Sequence, residues 1–284
     1  MNTTTLFEYF DQNEIEKTLL ELFDIKNRII VVTGGAGKLG RCYVQFLLKL
    51  GAKVAIFDLE NANGVLKNDT RNLLVLNVDV TKKDEILKGL EKVEYHFNDL
   101  PYGLINNAAI DSEPSQSAKL CGMVEDLSEE YWDHVIDVNV KGVFLCTQIV
   151  GARMVKKGKG RIINIGSIYG QVSPDQSIYQ FRRDRGENYY KPLPYSVSKS
   201  ALLNMTRYFS TYWAKTNITV NTLTLAGVFA NQESEFIERY ITRIPIGRMA
   251  NSKDYVGALL YLLSDASAYM TGANMIIDGG WTAI

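Results

Sequence analysis

Short apolar runs alternate along this chain with longer segments whose apolar residues recur every three or four positions. Arg28-Ile-Ile-Val-Val-Thr33 reads as a strand apolar on both faces, followed by a glycine cluster and a helical stretch to about Leu50. Lys53-Val-Ala-Ile-Phe-Asp58 and Leu73-Leu-Val-Leu-Asn-Val78 repeat the strand pattern, and a charged helical segment behind a Thr81 cap leads to Gly103-Leu-Ile-Asn106. One long helix is predicted over 129–157, ended by Gly158, and a strand over Arg161–Ile165. A helix from about Tyr195 to Lys215, a strand over Ile218–Leu223, a helix over 252–264 and a last strand over Asn274–Asp278 complete the series. Near-continuous apolar strands separated by helices predict the α/β class, a doubly wound parallel sheet covered on both faces. With no repeat or linker to divide it, the stretch 25–284 reads as one domain. Ahead of it, residues 1–24 carry Leu6, Phe7, Tyr9, Phe10, Leu19, Leu20 and Leu22, an amphipathic helical extension that packs on its own domain or on a neighbouring subunit.

Composition narrows the function classes. Apolar residues make up 46% and charged residues 22% of the chain, the balance of a soluble globular protein. Lys and Arg number 31 against 32 acidic residues, so no basic field exists to draw nucleic acid or an anionic membrane surface. The absence of a long uncharged apolar run predicts no transmembrane helix. The first 27 residues lack a basic segment followed by an apolar block, so no secretory leader is expected. Cys42, Cys121 and Cys146 are widely spaced, and His96 and His134 are the only histidines, which predicts no metal site. Reduced thiols in a cytoplasmic protein are the expectation.

The chemistry begins at Thr33-Gly-Gly-Ala-Gly-Lys-Leu-Gly40, between the first strand and its helix. Gly35, Gly37 and Gly40 satisfy G-x-G-x-x-G, and Asp58 ends the second strand 18 residues later. Glycines let the backbone approach a pyrophosphate, and a helix N-terminus supplies N–H groups and partial positive charge. This is the signature of a Rossmann-type dinucleotide site. A carboxylate at Asp58 accepts the adenosine ribose hydroxyls and repels a 2′-phosphate, and Leu59 adds no arginine to offset it. NAD is therefore favoured over NADP, although Lys38 is a cation within reach of a phosphate. Further along, Tyr195-Ser-Val-Ser-Lys199 places a phenol and an ammonium on one face of a helix. A nearby cation favours the phenolate, so such a pair is suited to proton transfer in a carbonyl/alcohol couple.

Together with Asn106-Asn-Ala-Ala109, Asn139, Ser167 and Ile277-Asp-Gly-Gly280, these motifs resemble the short-chain dehydrogenase/reductase family, over about Phe23 to Trp281. The resemblance implies a catalytic tetrad of Asn139, Ser167, Tyr195 and Lys199. Tyr195 would be the acid/base, and Lys199 would lower its pKa and hold the nicotinamide ribose. Ser167 would bind the substrate oxygen, and Asn139 would support a proton-relaying water. It also implies cofactor contacts from Gly34, Gly37, Lys38, Leu39, Gly40, Asp58 and Leu59. Asp79 and Val80 would sit at the adenine, with Asn107, Ala108 and Ala109 along the cofactor and Ala226 and Val228 beyond.

Three features depart from the family pattern. The spacing Gly34, Gly37, Gly40 is that of the extended branch, which contains sugar-nucleotide epimerases and dehydratases, because Lys38 replaces a glycine of the shorter branch; the chain's length, Asn106-Asn-Ala-Ala109 and the Ile277-Asp-Gly-Gly280 ending still favour the shorter, single-domain branch. Ala226-Gly227 stands where Pro-Gly is usual, and Asn231 where Thr is common. The stretch between Ser167 and Tyr195 is unusually long. Its extra segment, about 173–193, contains Asp175, Gln176, Tyr179, Arg182, Arg183, Arg185, Tyr189, Tyr190 and Lys191. Both of its ends carry predicted catalytic residues, so it is either a surface loop or a wall of the substrate pocket or of a subunit contact. Its arginines suit a phosphate or carboxylate and its tyrosines a sugar ring. The insertion and the chain's ending also resemble oxidoreductases of bacterial surface-sugar pathways, including flagellin modification by legionaminic-type acids.

The leading expectation is an NAD-dependent oxidoreductase interconverting a secondary alcohol and a ketone on a polar, sugar-like small molecule. The alternatives are a sugar-nucleotide epimerase or dehydratase that recycles NAD within each turnover, and a non-catalytic binding protein on the same fold. An enoyl reductase is disfavoured, since those relatives space the tyrosine and lysine more widely. The resemblance further implies a homodimer or homotetramer built on the helices after Asn139 and Tyr195.

Overall fold

The computed structural model describes residues 11–59, 71–111 and 122–284. Leu6, Phe7, Tyr9, Phe10 and Cys121, singled out above, lie outside the described residues. Seven strands, β1 (Ile29–Thr33), β2 (Lys53–Asp58), β3 (Leu73–Asn77), β4 (Gly103–Asn106), β5 (Gly160–Ser167), β6 (Ile218–Leu225) and β7 (Asn274–Ile277), form one sheet in the order β3-β2-β1-β4-β5-β6-β7. Every pairing is parallel. Strand order reverses between β1 and β4, so the loops leaving their carboxyl ends diverge and open a crevice there.

The helices are α1 (Gln12–Leu22), α2 (Lys38–Lys49), α3 (Lys83–Phe97), α4 (Glu129–Ile136), α5 (Val143–Lys157), α6 (Gln180–Asp184), α7 (Leu193–Tyr212), α8 (Ser234–Ile241) and α9 (Val256–Leu263). The period-two alternation of β1 shows why both faces must be covered. Ile29 and Val31 join a core with Ile86, Leu90 and Val93 of α3, Val150 and Met154 of α5, and Phe209 of α7. Ile30 and Val32 point the other way, onto Tyr43, Val44 and Leu47 of α2 and Leu259 and Leu263 of α9.

A third core, absent from the sequence reading, stands above the carboxyl ends of β5 and β6. Ile168, Tyr169, Ile178, Tyr179, Phe181 and Tyr189 pack there on Phe236 and Tyr240 of α8 and on Trp281. The insertion is thus anchored by an apolar core of its own and is built into the wall above the sheet.

The predicted helix over 129–157 is continuous, but Asp137–Gly142 within it is a π-helical turn. Glu129–Lys157 is also long and apolar enough by composition to cross a membrane, which the sequence reading did not anticipate. Half of its most apolar 18-residue window is buried in the fold, and Leu145, Cys146, Ile149, Val150 and Met154 of the helix are buried. At the N-terminal end, Asp11 and Glu14 cap α1 reciprocally, each bond 2.9 Å long. α1 buries none of its side chains, so Ile15, Leu19 and Leu20 are exposed on this chain.

Candidate active site

A cavity of about 1190 Å³ occupies the crevice at the β1/β4 switch point. Its floor begins with the loop after β1. Gly34 turns the chain in the left-handed region (φ 63°), and Gly37 caps α2 without any side-chain bond to the helix's first N–H groups. Gly40 lies beneath, where an added Cβ would stand 2.2 Å from the Gly34 carbonyl oxygen. Thr33 fastens this loop to the one after β4: its Oγ1 accepts from the amides of Asn107 and Ala108, each at 3.0 Å. The Asn107 side chain returns two bonds, donating to the Thr33 and Gly34 carbonyls at 3.1 and 2.9 Å. The Asn-Asn-Ala-Ala motif therefore braces the glycine loop. Its first member, Asn106, is buried and donates to Thr147 (2.9 Å) and Asn164 (2.8 Å), pinning β4 to α5 and β5.

Asp58 ends β2 at the cavity wall and accepts from the Ala36 amide at 2.8 Å. Leu59, Asp79, Val80, Ala109, Ala226 and Val228 line the same cavity, as do Lys38 and Leu39. The glycine turn, the glycine-capped helix start and the carboxylate fit the phosphates and adenosine ribose of a nicotinamide dinucleotide.

Tyr195 and Lys199 project into the deeper end from one face of α7, and Ser167 faces them from the end of β5. The Ser167 side chain acts on the Tyr195 phenol, favouring its ionised form. Lys199 is buried, its ammonium donates to the Ile165 carbonyl at 2.8 Å, and it lies 5.7 Å from the Tyr195 ring centroid. Burial acts on both groups. Burial brings Lys199 down to about 8, with the Asp111 carboxylate opposing. It also holds Tyr195 well above the ordinary phenol range; Asp111 adds to that rise and the Ser167 side chain counteracts it.

Asn139 sits in the π-helical turn, fully buried and beneath the cavity rather than on its wall. Its Oδ1 accepts from the Ile110 amide (2.7 Å), and its Nδ2 donates to the Ile110 carbonyl (2.9 Å) and to Ser198 Oγ (3.0 Å). The side chain thus stitches the loop after β4 to α7, one residue from Lys199. Single-turn π-bulges recur at functional sites because they re-aim side chains inside a helix.

The insertion corrects one expectation. Its arginines do not line the cavity. Arg182 pairs with Glu187 and lies over the Tyr189 ring. Arg183 donates to the Tyr189 and Gln176 carbonyls at 2.9 and 2.7 Å. Arg185 reaches Glu233 and Glu235 at 2.7 and 2.6 Å. Tyr179 and Lys191 are the insertion residues that face inward. The sequence reading missed Asp111, Tyr169, Phe236 and Tyr240, which line the same end. Asp111 follows the Asn-Asn-Ala-Ala motif by two positions, a signal that was available. Asn231 also lines the cavity, with a φ of 58° that asparagine tolerates better than most residues.

This fold and this convergence of Ser167, Tyr195 and Lys199 beside a dinucleotide cradle place the chain in the short-chain dehydrogenase/reductase family. It is an NAD(P)-dependent oxidoreductase acting on CH–OH groups. A family model described as Enoyl-(Acyl carrier protein) reductase matches residues 35–282. The NAD-dependent glycerol dehydrogenase of Listeria innocua is 32% identical, over 92% of this chain and 96% of that protein. The 2-(S)-hydroxypropyl-CoM dehydrogenase 3 of Xanthobacter autotrophicus is 31% identical, over 92% and 98%. A short-chain dehydrogenase of Leptospira borgpetersenii, solved with bound NAD+, superposes with a TM-score of 0.80 at 32% identity, covering 97% of this chain and 98% of that one.

Proposed function

We propose that the chain is an NAD-dependent dehydrogenase that interconverts a secondary alcohol and a ketone on a polar, sugar-like substrate. The observation that carries this reading is a single cavity that joins Asp58 at one end to Ser167, Tyr195 and Lys199 at the other. A carboxylate at Asp58 suits the free ribose hydroxyls of NAD and repels the extra phosphate of NADP. The bound nicotinamide supplies or accepts the hydride. Ser167 positions the substrate oxygen, and Tyr195 gives that oxygen its proton or takes it away. Lys199, its ammonium held by Ile165, carries the nicotinamide ribose and offers a cation to the phenolate that results. Asn139 keeps the loop after β4 and α7 in register. Names of relatives such as glycerol dehydrogenase, L-xylulose reductase and gluconate 5-dehydrogenase support a polyhydroxylated substrate.

Calorimetric titration with NAD, NADH, NADP and NADPH, followed by a screen of polyols and sugars, tests the proposal. Tight binding of the unphosphorylated pair and net NADH formation are expected. Tyr195→Phe should keep NAD binding and lose turnover, and an active variant would remove Tyr195 from the mechanism. The Gly34, Gly37, Gly40 spacing supports a second reading, an epimerase or dehydratase, and conversion of a sugar nucleotide without NADH accumulation would establish it instead. We further propose a cytoplasmic location, and a homodimer or homotetramer that the exposed Phe144 on α5 and the exposed Tyr208 and Tyr212 on α7 support.

A further inference from the structure

Lys191 is the one feature of the insertion whose position needs a function. Its side chain is only 3% exposed, yet it lies on the cavity wall with its ammonium 4.9 Å from the Tyr195 ring centroid. An ammonium is among the groups least often buried, and its presence over the Tyr195 ring costs desolvation. It is also held there deliberately. The Gln176 side chain accepts from the Lys191 amide at 2.9 Å and donates to its carbonyl at 3.0 Å. Arg183 in turn grips the Gln176 carbonyl at 2.7 Å. The insertion thus folds into a bracket that presents this one cation.

The partner of Lys191 is Asp111, whose carboxylate is ion-paired to the ammonium. The Asp111 side chain is 42% exposed and lines the same cavity, so one face of the pair is open to whatever enters. Through Lys191, whose ammonium lies 4.9 Å from the Tyr195 ring centroid, the pair is tied to the Tyr195 end of the cavity. The pair offers an N–H donor and a carboxylate acceptor side by side, with no net charge. A hydroxyl can accept from the first while donating to the second. A substrate carboxylate would have to compete with Asp111 for Lys191 and would meet the repulsion of the Asp111 oxygens. Tyr169, Tyr179 and Phe236 supply flat apolar walls around the pair, suited to the carbon side of a polyol.

We propose that Lys191 and Asp111 together bind a hydroxyl adjacent to the carbon being oxidised, making the site selective for uncharged vicinal diols over monohydric alcohols and over hydroxy acids. This inference rests on the dehydrogenase reading above.

The test uses three probes that share one reacting carbon: 1,2-propanediol, 2-propanol and lactate, each with NAD. Wild type should prefer the diol over both others in kcat/KM. Loss of a charge-assisted hydrogen bond to substrate is worth roughly ten- to a hundredfold. Lys191→Met and Asp111→Asn should lower the diol to 2-propanol ratio by about that factor, and Lys191→Arg should retain part of it. In Asp111→Asn the ammonium is no longer neutralised, so the lactate to diol ratio should rise, a change that general loosening of the fold would not produce. If Lys191→Met does not fold, Asp111→Asn, with its exposed side chain, decides alone. An unchanged diol to 2-propanol ratio in a folded variant overturns the inference and leaves the dehydrogenase reading standing. No NADH from these probes or from any alditol or sugar overturns that reading, and the inference with it.

Discussion

Replacing Asn139 with alanine isolates what this residue does, because its side chain makes three well-formed bonds and none is duplicated by another side chain among the described residues. The change removes an acceptor 2.7 Å from the Ile110 amide and donors 2.9 Å from the Ile110 carbonyl and 3.0 Å from Ser198 Oγ. Ser198 keeps its own bond to the Tyr195 carbonyl at 2.7 Å, so the losses fall on the Ile110 backbone. A buried polar group left without a partner costs about 1–3 kcal/mol. Ile110 is only half-buried, so water restores part of this, and a total of about 2–4 kcal/mol is expected. For a chain of this size that corresponds to a fall in Tm of about 5–10 °C. Because Ile110 lies between Ala109 and Asp111 on the cavity wall, its release also misplaces the site, at a cost on the order of a hundredfold in kcat/KM. Asn139→Asp accepts from the Ile110 amide but cannot donate to its carbonyl, and should fall between. Calorimetric melting and steady-state kinetics read both effects. If Asn139→Ala melts within about 1 °C of wild type, the three bonds do not hold the loop, and the positioning role fails.

Two further outcomes follow from the geometry. Gly40→Ala forces a Cβ to within 2.2 Å of the Gly34 oxygen, so the cradle must open; NAD affinity measured by calorimetry should fall at least about tenfold, and an unchanged Kd would place the phosphates elsewhere. Lys199→Met should abolish turnover yet stabilise the fold at neutral pH, by about 1–2 kcal/mol after loss of the bond to Ile165. The sign follows from burial lowering Lys199 from 10.5 to about 8: the unfolded chain binds the proton more tightly, so the native protein is penalised at pH below about 8. The gain on substitution should therefore shrink as pH rises from 8, reach zero before 10.5 and turn into a small loss beyond, where only the missing bond to Ile165 counts. A gain in Tm that grows with pH would contradict the reasoning.

Much of the cofactor end was legible in the chain because its residues act through local rules. Glycine spacing, a strand before and a helix after, and a carboxylate at the next strand's end are each properties of a few consecutive positions. Gly34, Gly37, Lys38, Leu39, Asp58, Leu59, Asp79, Val80, Asn107, Ala108, Ala109, Ala226 and Val228 all line the cavity. Gly40 supports it from below. Tyr195 and Lys199 were readable for the same reason, since a four-residue offset on a helix is a fixed geometry.

The insertion behaved differently. Composition made its arginines and tyrosines equal candidates to face the substrate. Which of them does so depends on partners far along the chain. Glu233 and Glu235 draw Arg185 outward, Phe236 and Tyr240 supply the core that seats Tyr179, and Gln176 fixes Lys191. The electrostatics of Tyr195 likewise depend on Asp111, which reaches it from the loop after β4. Hydrophobic period and turn chemistry are written residue by residue, so the sequence alone determined the sheet, the glycine turn and the offset that puts Tyr195 and Lys199 on one helix face. Burial and charge pairing exist only once distant segments meet, so the tertiary structure decided which residues wall the far end of the cavity and how deeply its central phenol is buried.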